Sequence, residues 1–189
     1  MYNKIKVGSG LMIVLVGASA SGKTEVTKVL AKKYDFKKFI THTTRPIRQG
    51  EINDVDYHFV TKQKFEELIK QDYFIEYTIY NGNYYGTSKK EIDDNKVVAI
   101  DINGLNSFKQ LNNKNIVFFK LVAGEKTRFN RMLNRGDTLE NTNSRIINDR
   151  SKFADDIFPD VDFEINTENL DIEGVADLIY KLYQEKINQ

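Results

Sequence analysis

The stretch Gly17-Ala18-Ser19-Ala20-Ser21-Gly22-Lys23-Thr24 constrains this chain more than any other. It follows the apolar run Leu11-Met12-Ile13-Val14-Leu15-Val16 and precedes residues 25–33, whose apolar side chains recur at helical spacing. A buried strand therefore runs through a glycine-containing loop into a helix. In that setting the pattern G-x-x-x-x-G-K-[ST] is a phosphate-binding loop, because its backbone N–H groups converge on an anion at a helix N-terminus. Gly17 and Gly22 let the backbone turn and approach phosphate with no Cβ in the way. Lys23 supplies an ammonium for the outer phosphates, and Thr24 a hydroxyl that suits Mg²⁺.

Composition limits what else the chain can be. With 189 residues, 40% hydrophobic and 29% charged, it suits one domain with a single sizeable core. Lys and Arg (28) nearly balance Asp and Glu (27), for a net charge of +1, so no global field advertises nucleic acid or an anionic membrane, and anion binding must be local. The absence of cysteine excludes disulfides, thiolate metal sites and a cysteine nucleophile. Two histidines, His42 and His58, argue against a multi-histidine metal centre and read as structural or surface residues. No apolar run approaches the ~20 residues needed to span a bilayer, and no signal-peptide core follows residues 1–6. The expectation is a soluble cytoplasmic protein, monomer or homodimer, with neither a nucleic-acid nor a membrane partner.

Along the chain, residues 1–10 read as a loose polar leader, with the fold beginning at Leu11. Residues 37–41 are a short strand candidate. Pro46 and Gly50 make residues 43–51 a loop carrying Arg45 and Arg48, which can converge on one anion. Residues 56–60 read as a strand, and Thr61 as the N-cap of a helix over 62–71 with Phe65, Leu68 and Ile69 on one face. Residues 73–80 and 83–87, joined by Asn81-Gly82, predict a hairpin. A small, partly antiparallel sheet thus interrupts the helical pattern. From Ser88 a capped helix is expected to about residue 94, then a buried strand over 97–101, a helix over 105–111 and a strand over 116–122. Further helices are expected over 124–134 and from about 143 to 154, with a polar excursion at 135–142 between them. A strand over 162–165 and an amphipathic helix over 171–187 complete the order. Alternating strands and helices predict an α/β fold, its mostly parallel sheet covered by helices on both faces.

Phosphoryl transfer needs positioned positive charge more than covalent chemistry. Cations occur in three places: Lys23, the pair Arg45/Arg48, and the group Arg131, Arg135 and Arg145. Each arginine alone reads first as a solvated charge; company with the phosphate loop favours anion binding for Arg45 and Arg48. Asp101, at the end of an apolar strand, suits either a Mg²⁺-orienting carboxylate or a helix N-cap. Tyr57 and Tyr85 could pack across strands or donate to phosphate. Glu76 could face solvent or accept from an amino and imino edge such as that of guanine.

Together these residues resemble the guanylate kinase family. The resemblance rests on Thr44-Arg45 with Arg48-Gln49-Gly50-Glu51, Asp56-Tyr57, Phe74-Ile75-Glu76 and Asn83-Tyr84-Tyr85-Gly86 beside the phosphate loop, and runs from Leu11 to the C-terminal helix. It implies a P-loop kinase core (11–40, 88–134 and 156–189), a GMP-binding insertion (about 41–87) and a short helical lid (about 135–155). It implies ATP and Mg²⁺ as cofactors and GMP or dGMP as substrate. Thr41, Arg45, Arg48, Tyr57 and Tyr85 would hold the GMP phosphate, with Glu76 and Thr87 at the guanine edge. Asp101 would lie near Mg²⁺, and Arg131, Arg135 and Arg145 would fold over the transferred phosphate. Asn166 would lie by the adenine. The chain departs from the family pattern at Thr87 (usually serine), at Asn103 (usually a carboxylate facing guanine) and at Asn106 (usually glycine), and its lid is one residue short. Two other readings stay open: a kinase of another small phosphate on this scaffold, and a non-catalytic interaction module.

Overall fold

The structure, a computed structural model, describes residues 12–48, 50–80, 82–91, 95–154 and 158–188. The expected leader (1–10), Leu11, Asn81 of the hairpin turn and residues 92–94 lie outside the described residues.

The central sheet contains β1 (Met12–Val16), β2 (Lys37–Lys38), β7 (Lys96–Ile100), β8 (Ile116–Val122) and β9 (Phe163–Asn166). Their order is β2-β7-β1-β8-β9, and every neighbouring pair is parallel. All five residues of β1 are apolar and buried, as a strand covered on both faces requires. Ile13 and Leu15 point to one face, where they join Val26 and Leu30 of α1 (Lys23–Tyr34) and Val175 and Ile179 of α6 (Ile172–Ile187). Met12, Val14 and Val16 point to the other, against Leu105 and Phe108 of α3 (Ile102–Gln110). The expected fold class is the one found.

A second sheet has the order β4-β3-β6-β5, from β3 (His42–Thr43), β4 (His58–Phe59), β5 (Phe74–Tyr80) and β6 (Asn83–Ser88). Only β3 and β4 pair in parallel; β6 is antiparallel to both of its neighbours. Beneath it lies α2 (Lys62–Lys70), whose Phe65 and Leu68 cluster with Phe74. The Thr61 cap is as expected, its hydroxyl accepting from the Lys64 N–H at 3.1 Å. Gly86 is required by contact: a Cβ there would lie 2.7 Å from the Phe65 ring.

Besides α3, which starts at Ile102, two expected helices differ. Ser88 does not begin a helix; it closes β6, and the chain then makes one 3₁₀ turn at Lys89–Glu91, with the Ser88 hydroxyl accepting from the Lys90 N–H at 3.1 Å. The lid side holds α4 (Glu125–Asn134) and α5 (Leu139–Lys152). The latter begins about four residues before the expected 143, because the Thr138 hydroxyl caps it, accepting from the Asn141 N–H at 3.2 Å. The second half of the expected polar excursion, 139–142, is thus helix.

Candidate phosphate-transfer cleft

Parallel register sets the site. Leu15 pairs with Ala99 and Val16 with Ile100, so the loop leaving β1 and Asp101 at the end of β7 emerge side by side. Strand ends of open parallel sheets are where such folds bind ligands. Gly17 passes so close to β8 that a Cβ would lie 2.3 Å from the Leu121 carbonyl oxygen. Gly22, at φ +105°, turns the chain into α1 in a conformation that side chains rarely adopt. Lys23 Nζ donates to the carbonyls of Gly17 (2.5 Å) and Ala18 (3.0 Å). Burial lowers the Lys23 pKa to about 8, against the opposing pull of Asp149 and Asp101.

A cleft of about 710 Å³ opens over this loop. Its wall takes in Gly17, Ser19, Ala20, Ser21, Gly22, Lys23 and Thr24; Ala18 alone of the motif is not on it. Thr41, Tyr57, Glu76, Tyr85, Thr87 and Asp101 line it from the second sheet and β7, and Arg131, Arg135 and Arg145 from the lid side. The structure therefore brings most of the expected residues to one space.

Glu76 and Thr87 sit opposite each other in the β5–β6 register, and the threonine hydroxyl donates to the Glu76 carboxylate. Burial raises the Glu76 pKa to about 7; the Thr87 hydrogen bond works the other way, and Asp101 adds to the rise. Tyr57 and Tyr85 meet edge to face at 6.4 Å, and burial raises the Tyr57 pKa. On the other side Arg131 is anchored to Thr167, its Nη1 donating to the hydroxyl at 3.0 Å and its Nη2 to the carbonyl at 2.9 Å. Arg135 donates to Asp137 at 2.5 Å.

Besides Ala18, four expected residues are not on the wall: Arg45, Arg48, Asn103 and Asn166. The anion on which the arginine loop converges is internal. Arg45 grips Glu51 through both terminal nitrogens, at 3.0 and 2.7 Å, and the Arg48 backbone N–H donates to the same carboxylate at 2.8 Å. That contact with Arg45 holds the Glu51 carboxyl below its usual pKa. Arg48 and Asn103 are exposed. Asn166 ends β9, its side-chain oxygen accepting from the Glu168 N–H at 2.8 Å. Asp101 takes up the capping role, accepting from the Gly104 N–H at 3.0 Å, while still lining the cleft. That cap starts α3 at Ile102 instead of the expected 105.

Sequence reasoning missed Asp149, Arg128 as its partner, and Thr78, which lines the cleft on the Glu76 side of β5. The available signals were helical spacing of four between Arg145 and Asp149, and strand spacing of two between Glu76 and Thr78.

Among the described residues no group of three or more His, Cys, Asp or Glu could hold a metal on its own. Thr24 and Asp101 offer hard oxygens on one wall. That donor set fits Mg²⁺, which takes one or two protein oxygens and completes its shell with phosphates and water.

A parallel sheet, a phosphate loop between β1 and α1, and cations sharing one cleft with a second sheet define a P-loop phosphotransferase architecture. The sequence pattern of the Guanylate kinase family matches residues 9–185. A guanylate kinase of Clostridium tetani is 37% identical over 137 residues, covering 69% of this chain and 66% of that protein, just under two thirds of its length. One of Buchnera aphidicola is 32% identical over 184 residues, covering 92% of this chain and 87% of its own. The crystal structure of guanylate kinase from Anaplasma phagocytophilum, at 24% identity, shares the fold with a TM-score of 0.70 over 96% of this chain and 88% of that one. The chain belongs to the guanylate kinase family and is an enzyme of this type. Among the described residues no helix is long and apolar enough to cross a membrane.

Proposed function

We propose that the chain transfers the γ-phosphoryl group of ATP to GMP, and to dGMP by the same contacts, giving ADP and the nucleoside diphosphate. The observation that supports this is the hydrogen-bonded pair Glu76 and Thr87 lining the same cleft as Lys23 and the glycine loop. In this reading the segment at about 41–87 is the acceptor insertion, 135–155 the lid, and the remainder the core. The protein works in the cytoplasm as a monomer or homodimer.

The loop amides and Lys23 hold the donor's outer phosphates. Tyr57, Tyr85 and Thr41 donate to the acceptor phosphate, and Arg45 and Arg48 reach it once the loop that Glu51 organises closes. Glu76 and Thr87 face the amino and imino edge of guanine. An acceptor phosphate oxygen attacks the γ-phosphorus as the bond to the β–γ bridging oxygen breaks, and the bridging oxygen leaves on ADP. Arg131, Arg135 and Arg145 neutralise charge on the transferring group. With Thr24 and Asp101 as its protein oxygens, Mg²⁺ would supply charge neutralisation at the donor phosphates. Closure excludes water, which prevents hydrolysis of the donor.

A coupled assay of ADP release with GMP, dGMP, AMP and a ribose bisphosphate tests this. Turnover with the guanine nucleotides and little with the others is expected. Equal turnover with the ribose bisphosphate would replace guanine recognition by a general phosphate acceptor site, and failure to bind ATP would leave an interaction module.

A further inference from the structure

Asp149 puts a carboxylate where phosphoryl transfer calls for cations. It stands on the cleft wall with Lys23, Arg131, Arg135 and Arg145, and is 8% exposed. From α5 it reaches the phosphate loop itself: its Oδ2 accepts the Ser19 backbone N–H at 2.8 Å, and its Oδ1 lies 3.5 Å from the Ser19 hydroxyl. The same Oδ2 accepts from Arg128 Nη1 at 2.8 Å. Arg128 is buried and further tied to the Ala123 carbonyl (3.1 Å) and the Ser19 carbonyl (3.4 Å). An anionic oxygen that takes one loop amide and one guanidinium is making the contacts a phosphate oxygen makes at such a loop.

We propose that Asp149 is an internal counter-anion of the phosphate loop, one that a donor triphosphate must compete with, so that this residue sets donor affinity and couples α5 to filling of the loop. The inference rests on the reading of the loop as a triphosphate site. A triphosphate on Lys23 brings several negative charges into the same cleft as the carboxylate, at a separation too short for salt to screen fully. The triphosphate gains the Ser19 amide only by displacing Asp149 from it, and that displacement subtracts from donor affinity. Coupling of this kind is reciprocal: whatever loosens Asp149 from the loop tightens donor binding, and donor binding loosens α5 by the same factor. A pair that served only to bolt α5 to α4 would give the opposite sign, since loss of charge would slacken the loop and weaken binding.

Asp149→Asn keeps the shape and an oxygen acceptor while removing the charge. ATP and inorganic tripolyphosphate are titrated calorimetrically into the full chain, wild type and variant, at low and at physiological salt, with no acceptor present. The variant is expected to bind both about tenfold more tightly, the gap narrowing as salt rises. Should Asn leave Arg128 without a counter-charge and unfold the chain, the double variant R128M/D149L replaces the buried pair with apolar side chains of similar volume. It is expected to bind about threefold more tightly than wild type, the gain from one amide released from competition. Unchanged or weaker binding by the folded variant overturns the proposal while leaving the triphosphate reading intact. A wild type that binds neither probe overturns both.

Discussion

Replacing Glu76 by glutamine separates charge from shape at the proposed base-reading position. The carboxyl faces the cleft from β5, takes the Thr87 hydroxyl, and titrates near 7 because burial disfavours its charge. In the reading above, guanine presents two N–H donors to it. Glutamine accepts one and turns its own amide N–H toward the other. One charge-assisted hydrogen bond is lost and a donor is left facing a donor, at about 3 kcal/mol, or about 150-fold in GMP affinity. The wild-type site carries a second signature. A group titrating near 7 is about one-tenth ionised at pH 6 and about nine-tenths at pH 8, so GMP binding should tighten about tenfold over that span and level off above it. The acceptor phosphate has its own second ionisation near pH 6 and adds a slope of its own. Glu76→Gln retains that slope alone, so the difference between the two pH profiles isolates the carboxylate. Calorimetric titration of GMP from pH 5.5 to 8.5 reads both quantities. A variant that binds GMP within twofold of wild type, or whose pH profile parallels the wild type, refutes base recognition by Glu76.

The same group makes a stability prediction. Its folded pKa of about 7 lies above the ordinary 4.5, so the folded chain holds this proton where the unfolded chain releases it. The stabilisation is therefore complete below about pH 4.5 and lost as pH rises through 7, and the thermal midpoint of the ligand-free wild type relative to Glu76→Gln should fall between pH 5 and 8; a constant difference contradicts it. Lys23→Ala should lower turnover by at least about a hundredfold, with near wild-type rates counting against its role at the donor phosphates. Arg45→Ala, which also strands Glu51, should lower turnover by orders of magnitude in the coupled assay; a variant within threefold of wild type would leave Arg45 a purely structural partner. Gly86→Ala drives a methyl into the Phe65 and Phe74 rings and should cost about 1–3 kcal/mol, seen as a lower thermal midpoint; an unchanged midpoint would mean the α2 packing yields freely.

What the sequence revealed is what is decided locally. The bounds of β8 coincide with residues 116–122, apolar but for Lys120, because a strand buried on both faces announces itself by composition. The starts of α2 and α6 were legible because Thr61 and Asp171 cap them within three residues. The start of α5 was not, because Gly136 and the polar residues around it mimic a longer loop while Thr138 already caps a helix. Asp149 was beyond reach for another reason: its partners stand 130 and 21 residues away, and no local pattern relates them. Arg45 and Arg48 show the converse, since spacing announced a convergence but not that Glu51, in the same loop, would be its centre.

Strand alternation explains how the two halves of the cleft come to share one frame. Along β5, Ile75 turns into the apolar cluster of the central sheet that contains Val16, Ile100 and Leu105, while Glu76 and Thr78 line the cleft. The glycine loop leaves that central sheet at Val16, and Asp101 leaves it at Ile100. The strand that presents Glu76 is therefore packed on the layer from which the loop and Asp101 emerge. The arginine loop packs instead on the second sheet, with the Arg45 guanidinium over the Tyr57 and Phe59 rings at 5.5 Å, and Glu51 holds Arg45 and the Arg48 backbone within the same short segment. In the proposed reading, Glu76 and the glycine loop are thus held by one packed layer, whereas Arg45 and Arg48 ride on a loop with its own internal anion. In the proposed transfer that loop and the lid close, and both carry carboxylates, Glu51 and Asp149, on cationic or amide donors that a phosphate would take over.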